Sequence, residues 1–192
     1  MRFPLLLVFA LTAFSRSGPV AIVIETELGA IEAEIDAVHA PVTGANFLKY
    51  VDAGLFEGGR FYRTVKPDNQ PDNVVKIEVV QGGRAPGTEA FPPIPLERTS
   101  VTGLSHKDGS LSMARNGPDT ATSDFSICVG DQPSLDFGGK RNPDGQGFAA
   151  FGRVTKGMDV VRRMQMQPSS AQRLTPPIRI LRISRKTSPQ RP

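Results

Sequence analysis

Residues 20–35 read VAIVIETELGAIEAEI. From 20 to 27, Ile22 and Ile24 fall on one parity and Glu25 and Glu27 on the other, the period-two pattern of a half-buried strand. Leu28-Gly29 fits a hairpin turn. Residues 31–35 then alternate again, with Ile31 and Ile35 on one face and Glu32 and Glu34 on the other. Working outward, residues 74–81, 110–114, 125–129, 148–154 and 178–183 are further short strand candidates. Helical spacing is rarer. Pro41 suits the first turn of a helix that Gly54 ends, and Phe47, Leu48 and Val51 mark its buried stripe. Residues 158–165, after Gly157, form a second short helix. Nineteen Gly and seventeen Pro supply turns between these strands. No internal repeat exists, so the pattern predicts a β-sandwich or closed barrel.

The length of 192 residues and mass of 20.7 kDa suit one domain. With 39% hydrophobic and 22% charged residues, the chain can build a packed core. The single cysteine, Cys128, excludes an intramolecular disulfide framework and a cysteine-based zinc cluster. A formal charge of +4 is no nucleic-acid-binding signature. Residues 3–14 form an apolar run after Arg2, with Ala13 and Ser15 suited to the −3 and −1 positions of a signal cleavage site. The run is too short to span a bilayer, which takes about 20 residues. A buried strand or a tether is the alternative. The expected division is a signal peptide over 1–17, a domain over 18–185 and a flexible tail over 186–192. The mature protein is then a soluble, exported monomer without a membrane insertion.

The residue inventory removes several chemistries. His39 and His106 are the only histidines, and neither sits in a zinc-hydrolase spacing. A serine hydrolase lacks its G-x-S-x-G elbow. Gly138-Gly139-Lys140 is not a phosphate-binding loop, and Asp68, Gln70 and Asp72 lack the glycine and glutamate of a calcium loop. The stretch PDNQPDN (67–73) reads as a surface turn. Arg179, Arg182, Arg185 and Lys186 read as a solvated strand face.

Six segments remain: Pro41-Val42-Thr43 with Asn46-Phe47, Phe61-Tyr62-Arg63, Gln81-Gly82-Gly83, Ser112-Met113-Ala114, Phe125-Ser126-Ile127 and Phe151-Gly152-Arg153-Val154. In this order they resemble the cyclophilin-type peptidyl-prolyl isomerases, of the bacterial exported kind, over residues 21–183. The resemblance implies a mainly β fold: a closed eight-stranded antiparallel barrel with a helix over each open end. It also implies an isomerase of proline-containing polypeptides that needs no cofactor and no metal.

The chemistry can be argued separately. Rotation about an X–Pro bond faces a barrier of about 20 kcal/mol, set by amide resonance. A fixed cation beside the prolyl nitrogen stabilises the twisted state, in which that lone pair is released. Reaching about 10³ per second from about 10⁻² takes roughly 7 kcal/mol of differential stabilisation. A preorganised guanidinium with hydrogen bonds in a dry groove supplies that order.

By resemblance Arg63 is that cation, and Gln81 hydrogen-bonds the substrate backbone. Phe61 belongs to the same element as Arg63 and is assigned to substrate binding with it. Strand parity puts Val75, Ile77, Val79 and Gln81 on one face, so Val79 lines the groove or packs in the core. Ala114 and Arg115 fall where the peptide backbone lies, and Leu135 on an apolar wall. The chain also departs from the family. More residues separate Arg63 from Gln81, and Glu78, in the place of a pocket aromatic, is turned away by parity. The insertion is expected to rebuild that wall. Ser126 replaces the phenylalanine that floors the proline pocket, and Ser134 and Phe148 stand where Trp and His are common. Two readings follow: an active isomerase, favoured by Arg63 and Gln81, or a weakly active module that grips proline segments, favoured by Ser126.

Overall fold

The computed structural model describes residues 18–186. The expected signal peptide (1–17) and nearly all of the expected tail (186–192) lie outside the described residues. The chain begins with the hairpin read from its alternation, β1 (Val20–Thr26) and β2 (Gly29–Ile35). Its turn is closed by Thr26, whose hydroxyl donates to the Gly29 carbonyl at 2.7 Å and accepts from Leu28 N–H at 3.2 Å. The elements that follow are α1 (Pro41–Asp52), β3 (Arg60–Val65), β4 (Val79–Gly83), α2 (Thr99–Thr102) and β5 (Ser110–Met113). β6 (Phe125–Cys128), β7 (Ala149–Lys156), α3 (Met158–Gln165), β8 (Ser169–Ser170) and β9 (Arg173–Arg185) complete the chain.

The strands are ordered β1-β2-β7-β5-β6-β4-β3-β9, and β9 pairs back onto β1, so the sheet closes as an eight-stranded antiparallel barrel. Closure leaves no open edge among these strands. The two-residue β8 hangs on β9 as a small hairpin. Ile22, Ile24, Ile31, Ala33 and Ile35 point inward and are buried. Their outward neighbours form surface ion pairs, Glu25 with Arg182, Glu27 with Arg179 and Glu32 with Lys186. The basic residues of the last strand are therefore a solvated face, as expected.

α1 packs on β7 and β9, and α3 on β2, β3 and β4. Phe47 of α1 enters the barrel, its ring 5.1 Å from Phe56 and 5.2 Å from both Phe125 and Phe151. A smaller cluster of Val65, Ile77, Val79, Cys128 and Leu135, with Phe148 against it, adjoins the outer face of β4 and β6. It is this second cluster that positions the site.

Three expectations change. The short helix α2 is additional to the two read from the sequence. The strand expected over 74–81 starts only at Val79, because the side chain of Gln70 takes over the bonds of Ile77. Gln70 accepts from Ile77 N–H at 3.2 Å and donates to its carbonyl at 2.8 Å, and it also donates to Lys66 O at 2.7 Å. A residue satisfied by a side chain needs no neighbouring strand. Last, β7 begins at Ala149, so Phe148 stands just outside it, its N–H bonded to Leu135 O at 2.9 Å.

Candidate active site

One row of side chains crosses four strands. Arg63 on β3 is opposite Gln81 on β4, Gln81 is opposite Ser126 on β6, and Ser126 is opposite Ser112 on β5. Residues paired across an antiparallel sheet share a face, and all four line one open groove of about 470 Å³. That volume falls in the usual range of ligand sites, about 300–1,000 Å³. Ile77, Val79, Leu135 and Phe148 add apolar wall, and Ala114 and Arg115 lie along the same groove.

A bulge aims the first of these residues. On β3, Phe61 is opposite Gly82 while Arg63 is opposite Gln81, so Tyr62 is an extra residue in the ladder. Tyr62 and Arg63 both reach the groove. Phe61 does not. It is fully buried in the barrel, edge-on to Phe125 at 5.6 Å. The sequence expectation that Phe61 binds substrate is therefore corrected: the bulge turns it into the core, where it supports the strand.

Arg63 is held from two sides. Nη1 donates to Gln81 Oε1 at 2.8 Å, while Nε and Nη2 donate to Gln172 Oε1 at 2.9 and 2.6 Å. Gln172 comes from the β8–β9 hairpin, where Ala171 adopts a positive φ of 50°. Three of the five guanidinium N–H groups are thus engaged by neutral amides, and two remain. Burial lowers the Arg63 pKa, yet a guanidinium keeps its proton throughout the physiological range. Arginine can only donate, so Gln81 must turn its oxygen toward Arg63. Its Nε2 then donates to the Tyr62 hydroxyl at 2.9 Å, and Tyr62 donates to Asp124 Oδ2 at 2.6 Å. Burial, followed by this bond to Asp124, raises the Tyr62 pKa, so it stays a neutral phenol. The chain Asp124–Tyr62–Gln81–Arg63–Gln172 fixes Arg63 and Gln81, two of the four polar groups of the row.

The rest of the frame is similarly pinned. Arg115 makes a two-pronged pair with Asp144 at 2.8 and 3.0 Å, which holds the Asp144 carboxyl below its ordinary pKa. Its guanidinium also lies 5.1 Å from the Phe148 ring centroid. His106 is fully buried between Asp136, 2.7 Å from Nδ1, and Ser112, 2.9 Å from Nε2. It orients Ser112 at the end of the row. Ser126 is 8% exposed, with its side chain on the groove.

Parity was right about Glu78, which turns away and accepts from Gln165 Nε2 at 2.9 Å. It was right about Ile77, Val79 and Gln81, which line the groove. It misses Val75, which lies before the strand and contributes its carbonyl instead. Arg141 Nη1 donates to Val75 O at 2.7 Å and to Gln70 Oε1 at 2.9 Å, which clasps the loop after Leu135 to the loop before β4. Tyr62, Asp124, Arg141 and Gln172 were not singled out from the sequence. Tyr62 stood in the quoted Phe61-Tyr62-Arg63 element, whereas no local signal marks the other three.

Comparison with known proteins identifies the fold and the family. Residues 21–185 match the family model described as cyclophilin type peptidyl-prolyl cis-trans isomerase/CLD. A peptidyl-prolyl cis-trans isomerase of Streptomyces antibioticus is 34% identical over 140 residues, 72% of this chain and 78% of that protein. Peptidyl-prolyl cis-trans isomerase A of Dickeya dadantii is 34% identical over 165 residues, 82% of this chain and 79% of that one. In three dimensions, a crystal structure of a cyclophilin-type isomerase from Cryptosporidium parvum superposes with a TM-score of 0.72. It is 21% identical and covers 89% of this chain and 99% of its own. The closed barrel, its polar row and the match along nearly the whole described chain assign this protein to the cyclophilin-type peptidyl-prolyl cis-trans isomerases.

Proposed function

We propose that the groove rotates X–Pro bonds with Arg63 as the cation that stabilises the twisted amide. The observation that carries this reading is the clamp on Arg63: Gln81 and Gln172 hold its guanidinium in one orientation and leave two N–H groups for a substrate. A donor that is already placed spends little reorganisation energy when the prolyl lone pair is released. Gln81 keeps one amide proton after bonding Tyr62, which suits a substrate carbonyl. The proline ring would rest on Ile77, Val79, Leu135 and Phe148, with the peptide backbone along Ala114 and Arg115. A related structure from Cryptosporidium parvum was solved in the presence of the dipeptide Ala-Pro, which supports a proline-containing polypeptide as the substrate class.

The second reading, a module that grips proline segments with little turnover, is favoured by Ser126, which gives the pocket a small polar floor. A protease-coupled assay on an Ala-Pro peptide separates the two. The isomerase reading expects clear acceleration over the spontaneous rate; binding without acceleration would establish the module. Ser126→Phe sharpens the test. Phe125, next to it, is buried among the core rings and cannot refill the floor, so the added ring should gain about 1–2 kcal/mol of contact with the proline. The expected rise in kcat/KM is roughly 5- to 30-fold at unchanged Tm. Unchanged or slower turnover in a folded variant would show that Phe148 already fills the space.

We also propose that this monomeric domain acts on exported polypeptides. The support is the short apolar run of residues 3–14 behind Arg2. No helix among the described residues is long and apolar enough to cross a membrane. N-terminal sequencing of protein from the cell envelope should begin near Arg16 or Gly18, and an intact Met1 would overturn export.

A further inference from the structure

The charges around the groove do not balance. Arg63, Arg115, Arg141 and Asp124 line it. Arg115 is neutralised by Asp144, and Asp124 is engaged by the Tyr62 hydroxyl. Arg63 and Arg141 differ from Arg115. Their partners are the amides of Gln81, Gln172 and Gln70 and the carbonyl of Val75, and among the described residues no carboxylate pairs with either. Two guanidinium groups therefore share a half-buried groove with no carboxylate bonded to either, and the one carboxylate of the lining, Asp124, is held away from them by the Tyr62 hydroxyl. Burying a cation without an anion is costly, and a ligand that brings the anion recovers that cost.

Arg141 is built for such a contact. Gln70, fully buried, is held by Lys66 and Ile77 on its other bonds, so its oxygen is fixed where it meets Nη1. The Arg141 backbone N–H is tied to Ser134 O at 3.2 Å. With both Nη1 protons used, Nε and Nη2 keep three N–H groups, the edge that receives a carboxylate through two parallel bonds. Both cations line the same groove, and burial, followed by the field of Arg63, lowers the Arg141 pKa.

We propose that the groove selects proline segments carrying an Asp or Glu beside the proline, and that Arg141 is the residue that reads this carboxylate. The proposal deepens the isomerase reading of the same groove and rests on its being the substrate site. Arg63 is committed to the prolyl nitrogen, which leaves Arg141 as the cation for the flanking acid. Arg141 clasps two loops that border the groove, the loop containing PDNQPDN and the loop after Leu135.

The test measures binding rather than turnover. Acetylated, amidated peptides carrying Glu or Gln either before or after the proline are titrated into the isotope-labelled protein, followed by NMR, so that no terminal charge contributes. At about 50 mM salt the Glu peptide should bind at least about fivefold more tightly than its Gln twin at one of the two positions. Arg141→Gln should reduce that ratio below about twofold, as should about 0.5 M salt on the parent protein. A ratio near one at both positions in the parent would overturn the proposal, as would a preference that survives Arg141→Gln. If that variant does not fold, the salt series on the parent decides, and a salt-insensitive preference overturns the role of the cation. Cis–trans exchange peaks from the same samples report on isomerisation alone. Exchange without a Glu preference removes the specificity, and a preference without exchange removes the catalysis.

Discussion

Arg63→Ala is expected to lower kcat/KM for an X–Pro peptide by at least tenfold, a loss of about 1.4 kcal/mol of transition-state stabilisation or more. The fold should survive, because Arg63 lies on the groove side of the bulge and contributes nothing to the barrel core, which Phe61 fills from the same strand. Arg63→Lys should fail nearly as badly. The planar fork spans Gln81 on one side and Gln172 on the other, and an ammonium has no fixed geometry with which to span them. Gln81 would then lose the donor that orients its amide, so the second polar group of the row is disturbed as well. Steady-state isomerisation and thermal unfolding of both variants check this. Parent-like kcat/KM in both would remove Arg63 from the mechanism.

The largest effect on stability is expected from Phe125→Ala. Its ring is fully buried and stands edge-on to three others, Phe47 at 5.2 Å, Phe56 at 5.6 Å and Phe61 at 5.6 Å. Deleting a buried phenylalanine removes both apolar transfer and packing, about 3–5 kcal/mol. For a domain of this size that corresponds to a fall in Tm of roughly 6–20 °C. Phe125 also lies between Asp124, which ends the polar chain, and Ser126, the floor of the groove, so peptide affinity should weaken in the folded variant. A loss below about 1 kcal/mol in denaturant unfolding would show that the ring cluster does not hold the barrel together.

How far the strands were legible followed from how strictly they alternate. Residues 20–35 face water on one side and the core on the other, so their parity carried the hairpin and its buried set. Pro41 and the Phe47, Leu48, Val51 stripe located α1 for the same reason: one face is solvated. Residues 74–78 misled because valine and isoleucine are common in strands. Their backbone is instead satisfied by Gln70, and no propensity scale contains that partner.

Local patterning marked seven of the eight barrel strands, short and many, but not the one over 60–65, and Arg63 and Gln81 were read from the cyclophilin resemblance of the short elements that hold them. Closure of the barrel settled the rest. The bulge at Tyr62 shifts parity by one, which sent Phe61 to the core and brought Tyr62 to the groove. Gln172 meets Arg63 across 109 positions of sequence, Arg141 meets Gln70 across 71 and Asp124 meets Tyr62 across 62. Such contacts carry no periodic signal, because they exist only where two distant strands or loops are brought side by side. The charge that lines the groove is a property of those meetings.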